Sequence, residues 1–170
     1  MPPVQARPTL PHAPLWASPF RPFCVLGVAY GVALMAAWVA MRAGVFGAAG
    51  GSASAQAWHA HEMLYGHAAA IVCAIALTAL PGWAGTPEVR GAPLMGLALL
   101  WVAARFAFWW RESLPADVAL AGALALWVVL AAALAVQLAR VPNRAYLLVL
   151  VVIGGLAAGE ALFLNGRTAA

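Results

Sequence analysis

The sequence predicts an all-α protein, a polytopic transmembrane helical bundle of about five spans, and three observations support this. Hydrophobic residues make up 65% of the 170-residue chain and charged residues only 8%, which is too little polar surface to coat a soluble globule. Five apolar stretches each reach the roughly 20 residues that a helix needs to cross the hydrocarbon layer of a bilayer. Proline and glycine are frequent in the short breaks between these stretches, where they interrupt helices.

The chain divides into a proline-rich lead-in over residues 1–21, which we expect to be flexible, and a single transmembrane helical domain over residues 22–170. The segment before the first apolar run is too long for a secretory signal and the run itself is of spanning length, so we predict an uncleaved first span. Small-residue, Pro/Gly or polar segments separate the later helices, at 44–57, 81–87, 111–115 and 140–144. The predicted spans are 22–42, 58–80, 93–111, 116–139 and 145–164.

The formal net charge of +4 comes entirely from arginine, because the chain contains no lysine. The arginines are spread over the breaks between helices instead of forming a stripe, which argues against a nucleic-acid partner. The lipid bilayer is the expected partner. Five arginines fall on the N-terminal side of the predicted topology and three on the other, which favours a cytoplasmic N-terminus; they are Arg7, Arg21, Arg90, Arg140 and Arg144 against Arg42, Arg111 and Arg167.

Three of the four histidines lie at the start of the second predicted span, in the run from Trp58 to His67. Ionisable groups are costly in a bilayer, so such a cluster is a site hypothesis by default. With five spans, helix 2 starts on the face where helices 1, 3 and 5 end. His59 and Glu62 should therefore lie at a depth similar to that of Arg105 and Glu160, and Arg105 should form a partly buried ion pair with Glu62 or Glu160.

On an ideal helix His59, Met63 and His67 fall on one stripe with Glu62 alongside, whereas His61 points to the opposite side unless the first turn is unwound. Neutral imidazole binds copper, iron and zinc and a thioether binds Cu(I), so His59 with Met63 is a reasonable copper half-site. Haem iron is also held by axial His or Met.

A structural interpretation of the histidines stays open beside the metal-binding one. Histidines next to a tryptophan are tolerated at the headgroup boundary without binding anything, and for His67 a hydrogen bond between helices is the better expectation. Met35 is expected to be core filler. A zincin metalloprotease is excluded because its second histidine would stand at position 65, which is Tyr65.

Four motifs resemble the NnrS family of bacterial inner-membrane proteins. They are SPFRPF at residues 18–23, WHAHEMLYG at 58–66, LTALPGWAG at 77–85 and LWVAAR at 100–105. The resemblance implies a multi-pass inner-membrane protein that contains haem and copper. It also implies production with denitrification genes or in response to nitric oxide, and a contribution to withstanding nitrosative stress.

Under this resemblance we expect haem and/or copper to bind through His59 and His61, with Met63 as a further metal ligand. Arg105 would pair with a haem propionate, and Glu62, Arg105 and Glu160 would orient the ligating groups. No catalytic residue is predicted.

Partners and alternatives complete the expectations. Family members are longer, so the site could be completed by a second half encoded elsewhere or by homo-oligomerisation. One alternative is a cofactor-free membrane subunit or half-transporter whose polar cluster is structural. A haem-copper redox enzyme ranks last, because four histidines leave few ligands for several metal centres.

Overall fold

Five apolar helices make up the computed structural model, which describes residues 13–47, 54–139, 141 and 143–165. Each is long and apolar enough to cross a membrane, and the described residues contain no strand, so the predicted fold class is confirmed. The helices are α1 (Phe20–Arg42), α2 (Ala55–Ala84), α3 (Ala92–Trp109), α4 (Ala116–Leu138) and α5 (Leu148–Asn165). Arg7, Arg140 and Arg167, used in the orientation argument, lie outside the described residues.

The second helix is longer than predicted at both ends. The side chain of Ser54 accepts a hydrogen bond from the backbone N–H of Ala57 at 3.1 Å, which caps the helix before the apolar run begins. At the other end Pro81 lies inside the helix, and the chain leaves it only at Gly85, whose φ of 67° is left-handed. Glycine adopts this conformation without strain and commonly ends helices.

The third helix ends at Trp109, earlier than the predicted 111, because Arg111–Ser113 form a separate 3-10 turn. A similar turn, Arg144–Leu147, precedes α5.

The described part of the lead-in, from residue 13 onward, packs against the rest of the chain. Pro14–Ala17 form a 3-10 turn, and the carbonyl of Trp16 accepts a hydrogen bond from the N–H of Gly91 at 3.0 Å. The side chain of Trp16 packs against the core. Helix α1 begins at Phe20, slightly before the predicted boundary, while residues 1–12 lie outside the described residues.

Helices α2 and α3 form the centre of the bundle. In each of these two helices 44% of the most apolar 18-residue stretch is buried, compared with 17% in α1 and in α5. A large apolar core includes Leu77, Leu94 and Trp127, and a smaller one includes Trp58 and Phe108. Of the polar residues of α2, His61 and Glu62 are buried together with these two clusters.

Candidate functional site

Four buried side chains from three helices form a polar cluster, here called the ion cluster, composed of His61, Glu62, Arg105 and Glu160. Their exposed fractions are 2%, 0%, 5% and 0%. Glu62 lies near the start of α2, while Arg105 and Glu160 lie near the ends of α3 and α5. The depth relation derived from the span count is therefore confirmed for Glu62, Arg105 and Glu160.

Arg105 joins both carboxylates. Its Nη1 donates to Oε1 of Glu62 at 2.9 Å, and its Nη2 donates to Oε1 of Glu160 at 3.5 Å. The sequence left open which glutamate would pair with the arginine, and the structure places Arg105 against both. A buried ion is tolerated when it is paired and hydrogen-bonded, and removal of one partner leaves an uncompensated charge.

His61 lies between the same two carboxylates. Its Nδ1 is 3.1 Å from Oε1 of Glu62 and its Nε2 is 3.6 Å from Oε1 of Glu160. The ring stacks on Phe108 with a centroid separation of 3.6 Å and an interplanar angle of 13°. The two carboxylates of the ion cluster thus face one guanidinium and one imidazole.

Aromatic side chains of α1 and α4 donate hydrogen bonds to the second oxygen of each carboxylate. The Tyr30 hydroxyl on α1 donates to Oε2 of Glu62 and accepts from Nε1 of Trp109 at 2.9 Å. On α4, Nε1 of Trp127 donates to Oε2 of Glu160 at 2.5 Å. Each of the five helices thus contributes to one network. Sequence reasoning missed Tyr30, Trp109 and Trp127; the only available signal was that Tyr and Trp carry a polar group that needs a partner when buried.

A π-helical segment, Glu62–Ala68, interrupts α2 at the ion cluster. Such segments are rare in proteins, and those that occur often lie at functional sites. Within it the carbonyl of Gly66 accepts a hydrogen bond from Nε1 of Trp101 at 3.0 Å. A Cβ at Gly66 would lie 2.5 Å from the Tyr30 ring and 3.0 Å from Oε2 of Glu62. Glycine at this position therefore makes room for the Tyr30 side chain beside its carboxylate partner.

The expected orientation of the histidines is wrong. We expected His59 to face the ion cluster on the stripe that runs beside Glu62, and His61 to point to the opposite side unless the first turn of the helix was unwound. Instead His61 enters the ion cluster, while His59 is half-buried and stacks on Trp38, with a centroid separation of 4.6 Å. Met63 lies on the outer face, 37% exposed. Neighbouring helices cover a wide side of α2. His61 and Glu62, whose side chains are about 100° apart around the helix axis, therefore both face neighbouring helices.

The other two imidazoles of α2, those of His59 and His67, differ in their hydrogen bonding. Nδ1 of His59 is buried and has no hydrogen-bond partner within the described residues. His67 makes the predicted contact between helices, because its Nδ1 lies 2.9 Å from the carbonyl oxygen of Gly27 on α1. His59 therefore offers an unused ring nitrogen, whereas His67 has one nitrogen committed to α1.

Candidate sites for a ligand are few in the part of the chain that the structure describes. No group of three or more His, Cys, Asp or Glu side chains is arranged to hold a metal ion there. A groove of about 320 Å³ borders the ion cluster at Arg105; its other walls are Tyr30, Trp101, Val102, Phe106, Trp109 and Trp110. A second groove, of about 470 Å³, lies between α1 and α2.

Fold and site together define a multi-pass membrane helical bundle whose helices are joined by a buried ion network. The family model described as NnrS protein matches residues 14–170. The chain therefore belongs to the NnrS family, as the four motifs predicted. No curated protein and no solved structure matches it significantly.

Proposed function

We propose that this protein binds haem and/or copper within the membrane and contributes to the response to nitric oxide and nitrosative stress. Membership of the NnrS family supports the proposal. The observation that carries it is the imidazole of His59, whose Nδ1 is buried without a partner in the described chain. A bound haem iron or copper ion would supply a metal centre that binds nitric oxide. The protein acts in this proposal by binding, and no catalytic step is assigned.

Within the proposed ligand set, His59 fits a metal better than His61. Nδ1 of His61 lies 3.1 Å from Oε1 of Glu62, and its Nε2 has no hydrogen-bond partner in the described chain but lies 3.6 Å from Oε1 of Glu160. Ligation by His61 would therefore draw the metal into contact with this carboxylate. Stacking on Trp38 holds the ring of His59 in place. Met63 is exposed on the adjoining surface and remains a proposed copper ligand.

Arg105 and the two glutamates have a positioning role in the proposal. Both Nη atoms of Arg105 are already engaged by carboxylates, so pairing with a haem propionate would compete with an existing ion pair. The network holds α2 against α3 and α5 and thereby fixes the start of α2, where His59 lies.

The proposal places the protein in the bacterial inner membrane with a cytoplasmic N-terminus, so that the ion cluster lies in the outer leaflet. It also includes completion of the cofactor site by a second copy of the chain or by a separate second half. This part is supported by the partial exposure of His59, because a single protomer leaves some of that residue uncovered.

A second candidate function is a cofactor-free membrane subunit or half-transporter. The specific observation in its favour is that the carboxylate oxygens of Glu62 and Glu160 are engaged by side chains of this chain. In this candidate His59→Ala and His61→Ala lower stability without changing any bound metal. A redox enzyme would instead turn over nitric oxide after purification.

The experiment is purification of the full chain in detergent from cells supplied with iron and copper. Absorption spectra and metal analysis are recorded for wild type, His59→Ala and Gln56→Ala. We expect a Soret band or stoichiometric copper in wild type, with the haem signal lost in His59→Ala and kept in Gln56→Ala, a control at an exposed position of the same helix. No Soret band together with background copper in wild type would favour the cofactor-free subunit.

A further inference from the structure

Helices α1 and α2 pair in a regular antiparallel register. A Cβ at Gly27 would contact Ile71, and a Cβ at Gly31 would lie 2.8 Å from Nδ1 of His67. Towards the other end of the pair, Trp38 stacks on His59. Between these contacts, Met35 of α1 and Met63 of α2 line one groove. Both methionines and His67 line the 470 Å³ groove, whose other walls are Val28, Gly31 and Val32.

The hydrogen bond of His67 determines which ring nitrogen is free. A carbonyl oxygen only accepts, so the contact with Gly27 at 2.9 Å requires the proton on Nδ1. Nε2 then carries a lone pair, and no hydrogen bond to it is formed within the described residues. The N–H···O=C contact is the arrangement that orients a ligating histidine and raises its basicity.

The depth of His67 makes the free nitrogen significant. At 1.5 Å per residue His67 lies about 18 Å from the start of α2, close to the middle of a hydrocarbon layer about 30 Å thick. Water is absent at this depth, so an unpartnered polar atom facing an apolar groove is costly. A ligand that accepts the lone pair would remove this cost.

The chemistry of the groove selects a soft, monovalent cation. Its side-chain donors are two thioethers and one neutral imidazole, and its other walls carry no oxygen donor. Thioethers favour Cu(I), whereas magnesium, calcium and manganese require oxygen ligands. A neutral ligand set suits the single charge of Cu(I) better than a divalent ion, because less uncompensated charge is left in the apolar surroundings.

We propose that Met35, Met63 and His67 bind one Cu(I) ion in the groove between α1 and α2, which we call the thioether groove. This inference rests on the proposed metal-binding function and names its copper site. It assigns Met35 and His67, expected from sequence to be packing residues, a role in ligation. It separates this site from His59, the proposed haem ligand at the start of the same helix.

The test is an anaerobic titration of the full chain in detergent with Cu(I), in competition with the chromophoric chelator bicinchoninate. Wild type is compared with the Met35→Leu/Met63→Leu double variant and with Met95→Leu, a matched control on α3. Leucine replaces methionine at nearly equal volume, so folding is expected to be preserved. We expect the double variant to lose about tenfold or more in Cu(I) affinity and the control to match wild type. X-ray absorption of the wild-type complex should show sulfur and nitrogen neighbours.

Failure of the copper site is distinguishable from failure of the proposed function. The thioether-groove proposal is overturned if the Met35→Leu/Met63→Leu variant binds Cu(I) as tightly as wild type. It is also overturned if Cu(I) affinity falls in His59→Ala but not in the double variant. If purified protein carries haem or copper in either case, the proposed function stands. If protein from cells carries no metal but the titration shows the expected variant pattern, the groove stands and the proposed function fails.

Discussion

The indole nitrogen of Trp127 lies 2.5 Å from Oε2 of Glu160, which connects α4 to an ion cluster whose charged members all come from other helices. Without this contact one oxygen of a fully buried carboxylate would have no donor. The network therefore serves two purposes, since it satisfies buried charge and connects all five helices to one another.

Substitution of Trp127 by phenylalanine should show how much this hydrogen bond contributes to the stability of the protein. The ring is largely retained, but Oε2 of Glu160 loses its donor, which should lower the free energy of unfolding by about 1–3 kcal/mol. Thermal unfolding in detergent measures the change. Trp83→Phe is the control, because Trp83 is 67% exposed and should change stability by less than about 0.5 kcal/mol. Equal effects of the two substitutions would contradict the assignment.

Arg105→Gln should be strongly destabilising. Both carboxylates of the ion cluster would lose their guanidinium partner, and breaking a buried pair in this way costs about 3–5 kcal/mol. Arg90→Gln provides the comparison, since the Arg90 side chain is 65% exposed and lies 3.7 Å from Glu88, and its loss should cost less than about 1 kcal/mol. An Arg105→Gln protein as stable as wild type would show that the ion pair is not formed.

Two glycines on the same helix should respond to alanine with opposite signs. A Cβ at Gly66 would lie 2.5 Å from the Tyr30 ring, so Gly66→Ala must displace that ring and should destabilise by about 1–3 kcal/mol. A Cβ at Gly82 would meet nothing within 4 Å, so Gly82→Ala should stabilise the helix by up to about 1 kcal/mol. Unfolding midpoints in one detergent test both. Stabilisation by Gly66→Ala would contradict the close packing of Tyr30.

Gly31→Ala tests how His67 is positioned. The new Cβ would lie 2.8 Å from Nδ1 of His67 and would push the ring from the Gly27 carbonyl, so Cu(I) affinity should fall about 10–100-fold. Gly154→Ala on α5 meets nothing within 4 Å and should leave Cu(I) affinity unchanged. A Gly31→Ala protein with wild-type affinity would mean that the hydrogen bond to Gly27 does not orient a ligand.

The sequence by itself determined the number of helices, their approximate limits and the shared depth of Glu62, Arg105 and Glu160. These follow from apolar run length and from the alternation of helix direction, neither of which depends on how the helices rotate against one another. The family was also determined at this level, because its motifs are contiguous in the chain.

Only the tertiary structure decided which imidazole meets the carboxylates. Helical periodicity gives the angle between His59 and His61 but not the direction in which either faces, and that direction depends on which side of α2 its neighbours occupy. Helices α3 and α5 lie on the side of His61, and a π-helical segment begins immediately after it. Likewise Tyr30 and Trp127 reach the carboxylates, and Met35 and Met63 line the same groove, through packing between helices, which no local sequence pattern encodes.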